Sequence, residues 1–161
     1  MAVPIVTMLV ETMSVATMPV ATMPIATMPV ETMPVEIQML AWSIALGLAQ
    51  VLLAATLMTR QRGLKWNASA RDGEARPLTG VAARVDRASK NFLETFPFFA
   101  AAVLAVVVSQ RGDADTAFGA QVYFWARLAY LPIYAAGIPY LRTLVWAASL
   151  WGLLQLLWAL F

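Results

Sequence analysis

The chain has 161 residues, 61% of them hydrophobic and only 12% charged, where soluble domains carry about 25% charged residues. With a mean hydropathy of +0.71, this excludes a soluble domain and points to an integral membrane protein. The absence of Cys and His excludes a disulfide framework, a cysteine nucleophile, an imidazole base, Cys/His zinc coordination and His-ligated haem. No metal site is expected. The net charge of +2 matters less than its distribution, since eight of the eleven Lys and Arg lie in residues 60–90. Such a segment can bind nucleic acid. Between two apolar spans the positive-inside rule explains it better, and no nucleic-acid partner is expected.

Residues 1–38 form a low-complexity array. Thr-Met recurs with a period of five, from Thr7-Met8 to Thr32-Met33, and Pro follows at 19, 24, 29 and 34. Proline at that spacing forbids a regular helix and a central strand, so the array should be extended or disordered. It lacks the basic start and uninterrupted apolar core of a signal peptide. It reads as a repeat-expanded leader, or alternatively as a periplasmic or lumenal tail. Met33 or Met39 would be a sensible start for the folded part.

Residues 39–161 are expected to fold as an all-α, four-helix transmembrane bundle. The first span, 39–58, has no charge and is long enough for about 30 Å of hydrocarbon. Its Gln50 either bonds to a neighbouring helix or lines a pocket. A polar connector, 59–80, carries Gly63, Gly73 and Pro77 as breakers. The second helix should start near Thr79 or Gly80, enter the bilayer around Asn91, bend at Pro97 and leave near Ser109. The third runs over 117–137 with Arg127 and Pro132 inside it. The fourth, 143–161, is uncharged and follows a short connector holding Arg142. The positive-inside rule puts the basic 59–90 segment in the cytoplasm and both termini outside.

Two polar stripes interrupt this apolar pattern. At 100° per residue, Arg84, Arg87, Asn91 and Glu94 fall within about 80° of one helix face. Tyr123, Arg127, Tyr130 and Tyr134 fall within about 60°. A carboxylate inside a span costs roughly 3 kcal/mol on insertion scales, so such groups face a cavity or a partner. An Arg127–Glu94 ion pair between helices two and three is the simplest solution, with either a structural or a pocket role. Arg84 and Lys90 read equally as anchors at the membrane boundary. Arg87, Asn91, Tyr130, Tyr134 and Arg142 share the cytoplasmic end. As a set of guanidinium, amide and phenol donors they suit a small, anionic, peptide-like ligand.

At these residues a resemblance becomes specific. The stretch Ala83-Arg84-Val-Asp-Arg87-Ala88-Ser-Lys-Asn91-Phe-Leu-Glu94-Thr-Phe-Pro97 resembles the signature of the MAPEG family, membrane-associated proteins in eicosanoid and glutathione metabolism. Ala126-Arg127-Leu-Ala-Tyr130-Leu-Pro-Ile-Tyr134 looks like the family's third-helix motif, and Gly137-Ile-Pro-Tyr-Leu-Arg142-Thr is similar to short bacterial members. The resemblance implies a homotrimer in a bacterial inner membrane. It implies glutathione bound between subunits by Arg84, Arg87, Asn91, Glu94, Tyr130 and Tyr134. Arg142, or secondarily Arg127, would then stabilise the thiolate that attacks a lipophilic electrophile. Thr95 stands where eicosanoid-making members often have Tyr, which points away from a leukotriene or prostaglandin substrate. The expected function is thus a membrane glutathione transferase or peroxidase. The alternatives are a non-catalytic binding or scaffold protein with this fold and a small transporter subunit.

Overall fold

The computed structural model describes residues 33–70 and 74–161, and the repeats at 1–32 lie outside the described residues. Among the described residues every regular element is a helix: α1 (Val35–Arg62), α2 (Leu64–Ala68), α3 (Gly80–Val108), α4 (Ala114–Ala136) and α5 (Pro139–Trp158). The four long helices pack as the expected bundle. One end, here the basic end, gathers Arg62, Gly80, Ala136 and Pro139. The opposite end gathers Val35, Val108, Ala114 and Trp158.

α1 begins at Val35, four residues before the sequence-based boundary at Met39, directly after the last repeat proline. It runs to Arg62, where Gly63 leaves the helix at φ 88°, in a region that favours glycine. The connector, expected to be a loop, contains the short helix α2. It is tied to the end of α1 by side chains. Gln61 exchanges two hydrogen bonds with the backbone of Thr79, each 3.1 Å, and Arg62 Nε donates to the Arg76 carbonyl at 2.8 Å. These bonds set the start of α3 beside the end of α1. α3 then runs unbroken through Pro97.

Asp113 and Thr116 form a reciprocal cap that starts α4. The Asp113 carboxylate accepts from the Thr116 N–H and the Thr116 hydroxyl accepts from the Asp113 N–H, both at 2.8 Å. The Thr116 hydroxyl in turn donates to Glu36 at 2.6 Å, pinning the first turn of α4 to the first turn of α1. Glu36 is therefore a buried acid of the bundle. In the sequence it falls within the 1–38 array expected to precede the folded part. α4 ends at Gly137 in the left-handed region, and Pro139 opens α5 at once. Arg142 consequently sits in the first turn of α5 and not in a connector.

α1, α3 and α5 are long and apolar enough to cross a membrane. α4 was expected to be a span of the same kind. At 23 residues it is about 35 Å long, but Gln121, Tyr123, Arg127, Tyr130 and Tyr134 dilute its apolarity. Tyr123, Arg127 and Tyr130 are buried inside the bundle. Outward-facing Leu52, Phe98, Leu144, Leu154 and Trp158 form an apolar exterior suited to lipid.

The core centres on Phe99 stacked on Tyr123 at 3.8 Å, with Val103, Val106, Ala120 and Leu156 around them. α4 and α5 cross at a pair of glycines. A Cβ on Gly152 would lie 2.5 Å from the Gly119 carbonyl and 2.8 Å from the Tyr123 nitrogen. This is the small-residue contact that lets membrane helices approach closely. A Cβ on Gly47 would instead meet the Phe92 ring at 2.8 Å, and a ring edge can turn aside.

Gly152→Ala should cost about 1–3 kcal/mol through backbone displacement, and more than Gly47→Ala. Thermal unfolding of both variants in one detergent checks the order. A second expectation concerns acid. The Thr116 N–H holds the Asp113 carboxyl below its ordinary value. The lowered folded value means that Asp113 favours the folded state above about pH 3.9, a contribution that fades as pH falls below it. Asp113→Asn keeps the capping acceptor, so its acid unfolding curve should lack that part of the pH dependence.

Candidate functional site

At the basic end α3, α4 and the first turns of α5 converge on a pocket of about 160 Å³, lined by Asn91, Tyr130, Arg142, Thr143 and Trp146. Three of these five residues were expected from the sequence. Beside them Arg87 Nε donates to the Tyr134 hydroxyl at 3.3 Å. The Arg142 guanidinium lies 5.0 Å from the Tyr134 ring centre, within range of a cation–π contact. Tyr130 and Tyr134 pack ring to ring at 5.4 Å. Each aromatic side chain thus braces an arginine or its neighbour. Arg87, Asn91, Tyr130, Tyr134 and Arg142 form one polar group, in which donors predominate.

Three expected residues are placed otherwise. Arg84 Nε donates to the Ala135 carbonyl at 2.7 Å, where the last carbonyls of α4 lack intrahelical donors. Glu94 is exposed on α3 and joins no ion pair, since among the described residues the one ion pair is Lys90–Asp86. The expected Arg127–Glu94 pair is therefore absent. Arg127 is 1% exposed and lies outside the pocket wall. It donates to Asn91 Oδ1 at 2.8 Å and to the Thr95 hydroxyl. The reason is local. Asn91, Glu94 and Thr95 occupy adjacent corners of α3, and the rotation of α3 turns the amide and the hydroxyl inward and the carboxylate out.

Thr143, Trp146 and the role of Thr95 were not anticipated. Arg142 and Trp146 are four residues apart and share a helix face, which is visible in the sequence only once α5 is started at Pro139. The Trp146 indole N–H is buried and has no hydrogen-bond partner. Gln50 is also buried, with its carbonyl oxygen unpartnered, and does not line this pocket.

A larger cavity of about 360 Å³ lies at the opposite end, lined by Pro34, Glu36, Gln110 and Asp113 among others. Its wall has two carboxylates and no basic side chain, the wrong polarity for an anionic ligand. Of these two, the chemistry favours the smaller pocket.

The sequence matches the model of the MAPEG family over residues 39–161. The chain belongs to the MAPEG family. No curated protein matches it. Membership makes it an integral membrane protein of a family associated with glutathione-transferase and eicosanoid chemistry. The MAPEG match covers α1 from Met39 onward and every residue of the Arg–Tyr pocket.

Arg84 is a support for α4 in this arrangement, not a wall of the pocket. Arg84→Ala should lower stability by about 1 kcal/mol through loss of the bond to Ala135. A shift of the thermal midpoint in detergent would register it.

Proposed function

We propose that the protein is a membrane-bound, glutathione-dependent transferase or peroxidase that works as a homotrimer in a bacterial inner membrane. The observation that carries this reading is the convergence of Arg142, Asn91 and Tyr130 on one pocket, with Arg87 and Tyr134 bonded beside it. Guanidinium and amide groups recognise carboxylates and peptide carbonyls, which a tripeptide anion has in number. The unpartnered Trp146 indole adds a donor next to the pocket. The concentration of basic residues in 60–90 supports a cytoplasmic pocket end.

A pocket of about 160 Å³ is smaller than the 300 Å³ or more of typical small-molecule sites. This shortfall supports a trimer, in which a second copy of the chain would supply the remaining wall. The division of labour follows from the chemistry of each side chain. Arg87, held by Tyr134, binds a carboxylate. Asn91 donates to a neighbouring acceptor. Arg142 faces the sulfur and favours its charged form. Glutathione supplies the thiol that this chain lacks. A free thiol has a pKa of about 8.5, and a nearby guanidinium lowers it. The electrophile is lipophilic and enters from the bilayer.

Calorimetry with glutathione and the detergent-purified protein tests this reading. Saturable binding is expected, weakened at least about tenfold by Arg87→Ala. Arg142→Ala should keep most of the affinity but lose the ultraviolet absorbance of bound thiolate. A well-folded trimer that binds no glutathione would sink the proposal.

A further inference from the structure

Arg127 is the one fully buried basic side chain among the described residues, and no carboxylate pairs with it. Its two terminal nitrogens are spent on neutral acceptors one turn apart on α3, Asn91 Oδ1 at 2.8 Å and the Thr95 hydroxyl. The rings of Tyr123 and Tyr130 flank its guanidinium at 5.5 and 5.7 Å. A guanidinium has no acceptor, so whatever faces it must accept. The Asn91 amide is thereby forced to turn its oxygen toward Arg127. Its NH₂ group, which bonds to no other described residue, is left for the pocket that Asn91 lines. The Thr95 hydroxyl is fixed in the same way. Having accepted from Arg127, it gives its own hydrogen to the helix backbone, with the Phe92 carbonyl at 3.2 Å and the Asn91 carbonyl at 3.4 Å.

We propose that Arg127 is a positioning residue: anchored by Thr95, it locks Asn91 so that its amide only donates into the pocket, and the ligand group seated between Asn91 and Arg142 is an anionic acceptor, a carboxylate or a thiolate. This rests on the glutathione reading above. Asn91 offers an ammonium group nothing to bond with at this point. The uncompensated charge beneath the amide adds to the preference, because it acts through a poorly screening interior. Arg127 thus serves the site without touching the ligand, and its fork geometry matters as much as its charge.

The test is a double-mutant cycle on glutathione affinity, using Arg127→Lys, Asn91→Ala and the double variant. Lysine keeps the charge but cannot hold two acceptors in a planar fork. Each single variant should bind about tenfold more weakly, as expected for a lost or misdirected hydrogen bond to a charged group. The double variant should be no weaker than Asn91→Ala, because Arg127 acts through Asn91. Independent losses that multiply to about a hundredfold would overturn the proposal. Thr95→Val, which keeps shape and removes the second anchor, provides the same readout should Arg127→Lys fail to fold. It should also weaken binding, and unchanged affinity in a folded Thr95→Val protein would count against the lock. Repeating the cycle with S-methylglutathione identifies the acceptor. Retained coupling assigns a carboxylate, and coupling seen only with glutathione assigns the thiolate. Wild-type protein that binds no glutathione overturns the transferase reading and this inference together. Glutathione binding indifferent to both Arg127→Lys and Thr95→Val overturns this inference alone.

Discussion

Arg127 holds a permanent positive charge in the middle of a membrane bundle, 1% exposed and without a carboxylate partner. Removing such a charge from water is costly unless its donors are satisfied. The surroundings do this in part and with neutral groups: the Asn91 amide and the Thr95 hydroxyl take the two terminal nitrogens and two tyrosine rings flank the guanidinium, while its buried Nε has no hydrogen-bond partner. Much of the basic half of the bundle follows from this requirement. α3 must turn Asn91 and Thr95 inward, which turns Glu94 out. α4 must keep Tyr123, Arg127 and Tyr130 on its buried face. That concentration of polar groups leaves α4 without the long apolar stretch that α1, α3 and α5 have.

The opposite half meets the same constraint with a smaller device. Glu36 is a buried acid, and its stabilising partner is the Thr116 hydroxyl, itself part of the cap that starts α4. The bond joins the first turns of α1 and α4. Between the two polar ends the packing is apolar and close, with Phe99 on Tyr123 and Gly119 against Gly152. Polar contacts at the ends set which faces meet, and the apolar middle supplies the close packing between them. In lipid this division is sensible, because apolar burial alone does not distinguish a neighbouring helix from an acyl chain.

The site inherits its character from these supports. Arg87 and Arg142 are steadied by Tyr134, and Asn91 by Arg127. The polar atoms left facing the pocket are mainly donors. Members of the MAPEG family generally use glutathione, a thiol-bearing anion.

Much of this was legible in the sequence for a simple reason. Helical periodicity and the cost of charge in hydrocarbon are properties of the chain alone. They were enough to find the four long helices, to start α3 near Thr79 or Gly80, and to group Arg87, Asn91, Tyr130, Tyr134 and Arg142 at one end. Glu36 was hidden because it follows directly on the proline repeats, and the short helix α2 because its connector is rich in breakers. Arg142 was placed in a connector because only the turn at Gly137 and Pro139 shows where α5 begins. The partner of Arg127 could not be read at all. Asn91, Glu94 and Thr95 are neighbours on one helix, and a rotation of α3 by a few tens of degrees exchanges which of them faces the core. The sequence by itself determined that a buried arginine must be satisfied. Only the tertiary structure decided by which groups, because that choice depends on how α3 and α4 are turned against each other.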